Sequence, residues 1–217
     1  MIADLDALPP GEALFDMDGT LITNDIAEAC LRGIDRIGHR NRVTEKANSV
    51  FAAYQGVLDY REQCRFAALA LGGLRVGQVE ELVDTALDAG ECAPVPEVCE
   101  LAHWVARRHR VWLLTGSPEV VGRIMADRLG IRHVRGIRLR QDGERLLPET
   151  FGILTCDEGK VEAAWAMTGR IPVFAIGDTA HDLPLLRHAR IARTVGHIAG
   201  VEFPALALRG APVGDLG

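Results

Sequence analysis

Apolar residues occur in two textures along this chain. Residues 13–16 begin as a short apolar run that breaks into Asp16-Met17-Asp18-Gly19-Thr20, the pattern of a buried strand ending in a loop. The spacing then turns helical. Ile26, Cys30, Ile34 and Ile37 recur every three to four residues until Gly38-His39 punctuates them. Further helices are predicted over residues 44–55 and over 58–71, where Gly72-Gly73 stops the run. Another is predicted around Val79, Leu82, Val83, Ala86 and Leu87, closed by Gly90. Nothing between Leu21 and Pro94 reads as a strand.

Beyond Pro94 and Pro96, helices and strands alternate. Val98, Leu101 and Val105 predict a helix, and residues 111–114 a strand. Residues 118–129 form the next helix, because Pro118 suits a first turn. Residues 131–134 read as a short strand. Residues 137–140 and 145–147 read as a hairpin across Gln141-Asp142-Gly143-Glu144, since Asp-Gly is a strong turn signal. Helices over 160–167 and 183–188 flank a strand at 172–176. Such alternation predicts parallel βαβ units with helices on both faces. From Gly200 onward Gly and Pro at intervals give no assignment. The expected fold is α/β: a doubly wound, mostly parallel Rossmann-like sheet from residues 1–20 and 95–217, carrying a helical insertion at 21–94.

Composition narrows the function classes. The chain has 217 residues, 24 Lys and Arg against 30 Asp and Glu, and 48% hydrophobic residues, which fits a soluble globular protein. A net charge of −6 disfavours a general nucleic-acid binder, which would carry a basic face. No stretch approaches the ~18 uninterrupted apolar residues of a membrane span, and the acidic first residues lack a signal-peptide pattern. Cys30, Cys64, Cys92, Cys99 and Cys156 are odd in number and show no CxxC spacing. They are expected as buried reduced thiols in a cytoplasmic protein, with neither a disulfide framework nor a zinc site.

Four loops at the predicted carboxyl ends of strands hold the candidate chemistry, where open parallel sheets place their ligands. In the first, Asp16 and Asp18 lie two apart on an extended segment, so their side chains point the same way. An Asp-rich turn is the plain alternative. Two carboxylates at the mouth of a buried strand nevertheless repel each other, and call for a cation or a split in pKa. In the second loop, Thr115-Gly116-Ser117 precedes a helix start, where free amides and the helix dipole cradle an anion. Ser117 is also read as the N-cap of that helix. The third is Lys160, poorly placed at a helix N-terminus unless it serves a site, with a solvated lysine as the alternative. The fourth, Gly177-Asp178-Thr179-Ala180-His181-Asp182, follows an apolar strand. There Asp182 reads equally well as a cap. Together Asp16, Asp18, Asp178 and Asp182 supply the hard oxygens that Mg²⁺ prefers. Thr115, Gly116 and Lys160 supply donors for phosphate, the equipment of phosphoryl transfer.

These motifs resemble those of the haloacid dehalogenase superfamily of phosphohydrolases. The resemblance rests on Phe15-Asp-Met-Asp-Gly-Thr-Leu21, Leu113-Leu-Thr-Gly-Ser117, Lys160 and Gly177-Asp-Thr-Ala-His-Asp182. The place of the helical insertion resembles the subclass with a small helical cap domain, which includes phosphoserine phosphatase. The resemblance implies Asp16 as nucleophile forming an aspartyl-phosphate and Asp18 as the acid and then the base. It implies Mg²⁺ held by Asp16, the Asp18 backbone carbonyl and Asp178, with Asp182 supporting the metal or orienting Lys160. Asp18, Gly19, Thr115, Gly116, Ser117 and Lys160 would hold the phosphoryl group.

Within that group an acidic residue nine positions after the nucleophile binds the substrate amine, here Asp25, and a cap arginine binds its carboxylate. Arg61 and Arg65 are the candidates for the latter, with a solvated helix face as the alternative. His181 departs from the Asn usual in the subgroup. The expected activity is phosphomonoester hydrolysis of a small metabolite by a monomer or homodimer, without nucleic acid or membrane. A phosphomutase of the same superfamily stays open. A non-catalytic receiver-like module is a weaker rival, since such domains lack the large insertion and the Asp-x-Asp-Gly-Thr order.

Overall fold

A computed structural model describes residues 2–39, 59–198 and 203–206. The helix expected over residues 44–55 and most of the tail after Gly200 lie outside these. In chain order the elements are α1 (Ile2–Ala7), β1 (Glu12–Phe15), α2 (Ile26–Arg36), α3 (Tyr60–Ala70), α4 (Val76–Asp88), α5 (Pro96–Val105) and β2 (Arg110–Pro118). There follow α6 (Glu119–Leu129), β3 (His133–Asp142), β4 (Arg145–Phe151), α7 (Glu158–Thr168) and β5 (Phe174–Gly177). A 3₁₀ turn at Ala180–Asp182, α8 (Leu183–His188), β6 (Ile191–Val195) and β7 (Ala205–Leu206) complete the set. The strands form one seven-stranded sheet in the order β4-β3-β2-β1-β5-β6-β7, parallel except where β4 runs back along β3.

β1 sits at the centre, all four residues buried, between β2 and β5. A short strand with both faces covered must be apolar on both, which is why it reads as a continuous run. Phe15 and Phe174 pack across the β1–β5 pair with ring centroids 5.4 Å apart. Because β1, β2 and β5 are parallel, the loops leaving them open at one edge of the sheet.

The chain departs for its insertion past Leu21 and returns at Val95 through a narrow antiparallel neck. Ile22 bridges Pro94, the Thr23 amide donates to the Ala93 carbonyl at 2.8 Å, and the Val95 amide donates to the Leu21 carbonyl at 2.9 Å. Ile26, Ile34, Val79 and Val83 of the insertion share one apolar cluster with Phe15, Leu113 and Ile176 of the sheet. Its helices therefore pack on the sheet. Among the described residues they share the core of the sheet.

Several boundaries differ from the sequence reading. Residues 133–134 and 137–140 are not two strands but parts of one, β3, which runs through Gly136, while residues 131–132 precede it. Gly136 is no break: a Cβ there would lie 2.7 Å from the Ser117 carbonyl oxygen and 2.8 Å from Glu119 Cα, so β3 needs Gly to pass β2 this closely. β2 extends through Thr115-Gly116-Ser117 to Pro118, and α6 begins only at Glu119. α1, β6 and β7 were not predicted. α1 has six residues, too short to display periodicity, and β7 has two. The five cysteines are free thiols, Cys99 half-buried and the others buried. Among the described residues no helix is long and apolar enough to cross a membrane.

Candidate active site

The loops after β1 and β5, the end of β2 and the start of α7 line a cavity of about 330 Å³, with α2 and α3. The chain turns immediately after β1: Gly19 takes φ +75°, and the Thr20 and Ile22 amides both donate to the Met17 carbonyl. Gly is required there twice over, since a Cβ at 19 would also strike the Asp178 carboxylate. Asp16 and Asp18 both line the cavity, and their carboxylates find different partners.

Asp16, 4% exposed, receives a hydrogen bond from Lys160 Nζ at 2.5 Å. Lys160 Nζ also donates to Asp182 Oδ1 at 2.5 Å. Lys160, though at a helix start, is 2% exposed, so the solvated reading is wrong. Asp182 stands at the N-cap position of α8, as one reading expected, but its side chain makes no cap bond to that helix. Its second oxygen accepts from the Asp178 and Thr179 amides and the Thr179 hydroxyl, which fixes the loop carrying Asp178. Asp178 accepts from Thr20 Oγ1 at 3.2 Å. Carboxylate oxygens of Asp16, Asp178 and Asp182 lie within 4.8 Å of one another. The Asp18 carboxylate does not belong to that cluster. One oxygen accepts from the Ile26 amide at 3.0 Å, the other from Ser117 Oγ at 2.7 Å and Thr115 Oγ1 at 3.1 Å.

Electrostatics follow from this packing. Burial pushes Asp16 well above the usual carboxylate range; Lys160 opposes it, and the Asp182, Asp178 and Asp18 charges add to it. Burial, then repulsion from Asp25, lifts Asp18 to about 7 against the hydrogen bonds from Ser117, Ile26 and Thr115. Burial and Asp182 raise Asp178 to about 6. Burial also acts upward on Asp182, yet Lys160 and the loop amides outweigh it and hold Asp182 below its ordinary value. Burial alone would pull Lys160 down; Asp16 and Asp182 reverse this and hold it high. Asp16 and Asp182 therefore share one ammonium, with the Asp178 carboxylate close beside them. The excess negative charge and the hard oxygen donors fit a divalent cation of the Mg²⁺ type at Asp16, Asp178 and Asp182.

The predicted phosphate cradle is brought together in part. Asp18, Gly19, Gly116, Ser117 and Lys160 all line the cavity. Thr115 is fully buried behind the wall, its hydroxyl bonded to Asp18 and to the Ser117 amide. Ser117 does not cap α6; Pro118 occupies that position, and the Ser117 hydroxyl is turned to Asp18. The reason is that β2 continues through Ser117, which points its side chain across the sheet edge.

Asp25 lies on the wall just before α2, and its carboxylate accepts from the Glu28 amide at 2.9 Å. Arg61 and Arg65 are not on the wall. α3 turns Tyr60, Gln63, Cys64 and Ala67 to the cavity, and positions 61 and 65 fall about 100° round from that stripe. Arg65 pairs instead with Glu62 at 3.7 Å. Sequence reasoning missed Tyr60, Gln63 and Cys64, whose i, i+3, i+4 spacing was visible but whose facing direction was not. It noted His181 only as a departure. His181 Nδ1 lies 2.7 Å from Asp157 Oδ1, and its ring stacks on Tyr60 with centroids 3.6 Å apart and planes 15° from parallel.

The profile of the family described as haloacid dehalogenase-like hydrolase matches residues 13–187. No curated protein gives a significant match. Among solved structures, a hydrolase of the same family from Salmonella enterica serovar Typhi aligns with TM-score 0.64 and 18% identity, over 87% of this chain and 63% of that one. This chain thus spans under two thirds of that protein. A probable phosphoserine phosphatase from Vibrio cholerae gives 0.65 and 20%, over 89% and 58%. A phospho-aspartyl intermediate analogue of phosphoserine phosphatase gives 0.58 and 20%, over 86% and 87%. At these identities the likeness establishes the fold.

Proposed function

Because the chain belongs to the haloacid dehalogenase-like hydrolase family, we propose that it is a phosphomonoesterase that hydrolyses a small phosphorylated metabolite through an aspartyl-phosphate on Asp16. One observation carries this reading. Two aspartates two residues apart face one cavity in different surroundings, Asp16 against an ammonium and Asp18 against hydroxyls and an amide. Environments that split neighbouring carboxylates assign them different roles.

In the first half-reaction an Asp16 oxygen attacks phosphorus, and the departing alkoxide takes the proton held by Asp18. In the second, Asp18 removes a proton from water, whose oxygen attacks the same phosphorus. Inorganic phosphate leaves and the Asp16 carboxylate is restored. A value of about 7 suits Asp18 to both transfers near neutral pH. Lys160 favours the charged, nucleophilic form of Asp16 and is fixed by Asp182. Gly116 and Ser117 line the side on which phosphoryl oxygens would sit. A divalent cation, Mg²⁺ by donor type, held by Asp16, Asp178 and Asp182 would offset the repulsion between nucleophile and phosphate.

Asp25 on the wall suits a substrate amine. Among the described residues Lys160 is the only Lys or Arg lining the cavity, so an arginine clamp for a phosphoserine carboxylate does not come from Arg61 or Arg65. The reading needs no partner beyond a small phosphorylated substrate, neither nucleic acid nor membrane, and suits a monomer or homodimer in the cytoplasm. The test is turnover of p-nitrophenyl phosphate with and without Mg²⁺, followed by a panel of phosphorylated amino acids, sugars, alcohols and nucleotides. Hydrolysis that Asp16→Asn abolishes without loss of fold is expected. No hydrolysis under any divalent ion would overturn the proposal.

A further inference from the structure

Asp157 stands immediately before α7, where an Asp usually caps the helix through its side chain. It makes no such cap bond. Its backbone also holds φ +49° and ψ −129°, a region costly for a residue with a Cβ. Both costs fall on the residue whose carboxylate meets His181 Nδ1 at 2.7 Å. That contact fixes the imidazole plane, and Tyr60 of α3 lies flat on it at 3.6 Å.

The stack joins two parts of the chain with different duties. His181 belongs to the loop that presents Asp178 and Asp182, and Tyr60 to a helix of the insertion. Both line the cavity. Tyr60 also closes over the β2 loop: a Cβ added at Gly116 would sit 3.3 Å from its hydroxyl oxygen. The cavity, about 330 Å³, lies at the small end of ligand sites. We propose that Tyr60 and His181, with His181 oriented by Asp157, are specificity-determining residues whose stack forms the wall limiting the leaving group to small alcohols. This rests on the phosphomonoesterase reading above and adds which residues exclude bulk.

The experiment compares kcat/KM for 1-naphthyl phosphate and ethyl phosphate in the wild type, Tyr60→Ala, Tyr60→Phe, His181→Ala and the double alanine variant, with thermal melts confirming the fold. Tyr60→Ala should raise the naphthyl-to-ethyl ratio about tenfold or more, mainly by lowering KM for the naphthyl ester, since one missing group in a pocket changes discrimination by that order. Tyr60→Phe keeps the ring and should keep the wild-type ratio. His181→Ala should raise the ratio too, and the double variant should add little, because the two act as one wall. If an alanine variant fails to fold, Tyr60→Leu, which removes the stack and part of the bulk, replaces it and should raise the ratio in the same direction. Parallel loss on both esters with a ratio unchanged to within about twofold would show a merely structural contact and overturn the inference. A wild type that hydrolyses neither ester overturns the phosphatase reading itself, and this one with it.

Discussion

Among the described residues Lys160 is the sole ammonium in a cluster of buried carboxylates, and its removal should be costly in a way that depends on pH. Its side chain is 3% exposed, those of Asp16 and Asp182 6% and 2%, and each Nζ–O distance is 2.5 Å. Breaking a buried pair by removing one partner costs about 3–5 kcal/mol, because the remaining charge has lost its compensation. Lys160→Met strands two carboxylates, so a loss at the upper end of that range is expected at pH 7–8 in chelator-treated protein. The sign with pH follows from Asp182, which Lys160 holds below its ordinary value. A depressed carboxylate contributes stability above its unfolded pKa and loses it as pH falls through the folded one. The wild type should therefore lose this contribution in acid, below pH ~4. In the variant Asp16 and Asp182 protonate more readily, so the deficit should be largest at pH 7–8 and shrink toward pH 5. The assay is urea unfolding followed by tryptophan fluorescence at several pH values. Asp182→Asn added to Lys160→Met should recover part of the loss, since it removes one stranded charge. A deficit under about 1 kcal/mol, independent of pH, would refute the argument that Lys160 compensates these carboxylates.

Asp18 supplies a second pH test: as the acid it must be protonated, so kcat/KM for alkyl phosphates should fall as pH rises through about 7. Asp18→Asn should lose that limb and suffer far more on alkyl than on aryl esters; equal losses on both would argue against the acid role. Thermal melts should rise with Mg²⁺ concentration relative to chelator, and Asp178→Asn should flatten the response; the same rise in that variant would remove Asp178 from the ion's ligands. Gly136→Ala places a methyl against the backbone of Ser117 and Glu119 and should cost about 1–3 kcal/mol, read as a lower Tm. An unchanged Tm would mean that β2 and β3 can part there without penalty.

The strands that carry the site were legible because a strand covered on both faces must be apolar throughout. Residues 13–15 and 174–176 have no polar side chain to mislead the eye. The acidic motifs stood out for a related reason: charge directly after such a run is expensive, and little but chemistry explains it. The helices of the insertion showed through their 3.6-residue period. α1, β6 and β7 did not, since six, five or two residues carry less than a full signal. The role of Gly136 was not legible, because what excludes a side chain there is the backbone of Ser117 and Glu119, which the local sequence does not show.

The sequence by itself determined which residue types were present for phosphoryl transfer and that parallel strands would gather them at one edge. The tertiary structure alone decided their directions. Asp16 meets Lys160 and Asp18 meets Ser117, partners about a hundred or more residues away along the chain. The continuation of β2 takes Ser117 from capping to the Asp18 carboxylate. The setting of α3 puts Tyr60 on the wall and leaves Arg61 and Arg65 off it. A helical period fixes which residues share a face, but which face turns inward depends on what packs against it. That is a contact between segments more than a hundred residues apart, as Tyr60 and His181 show.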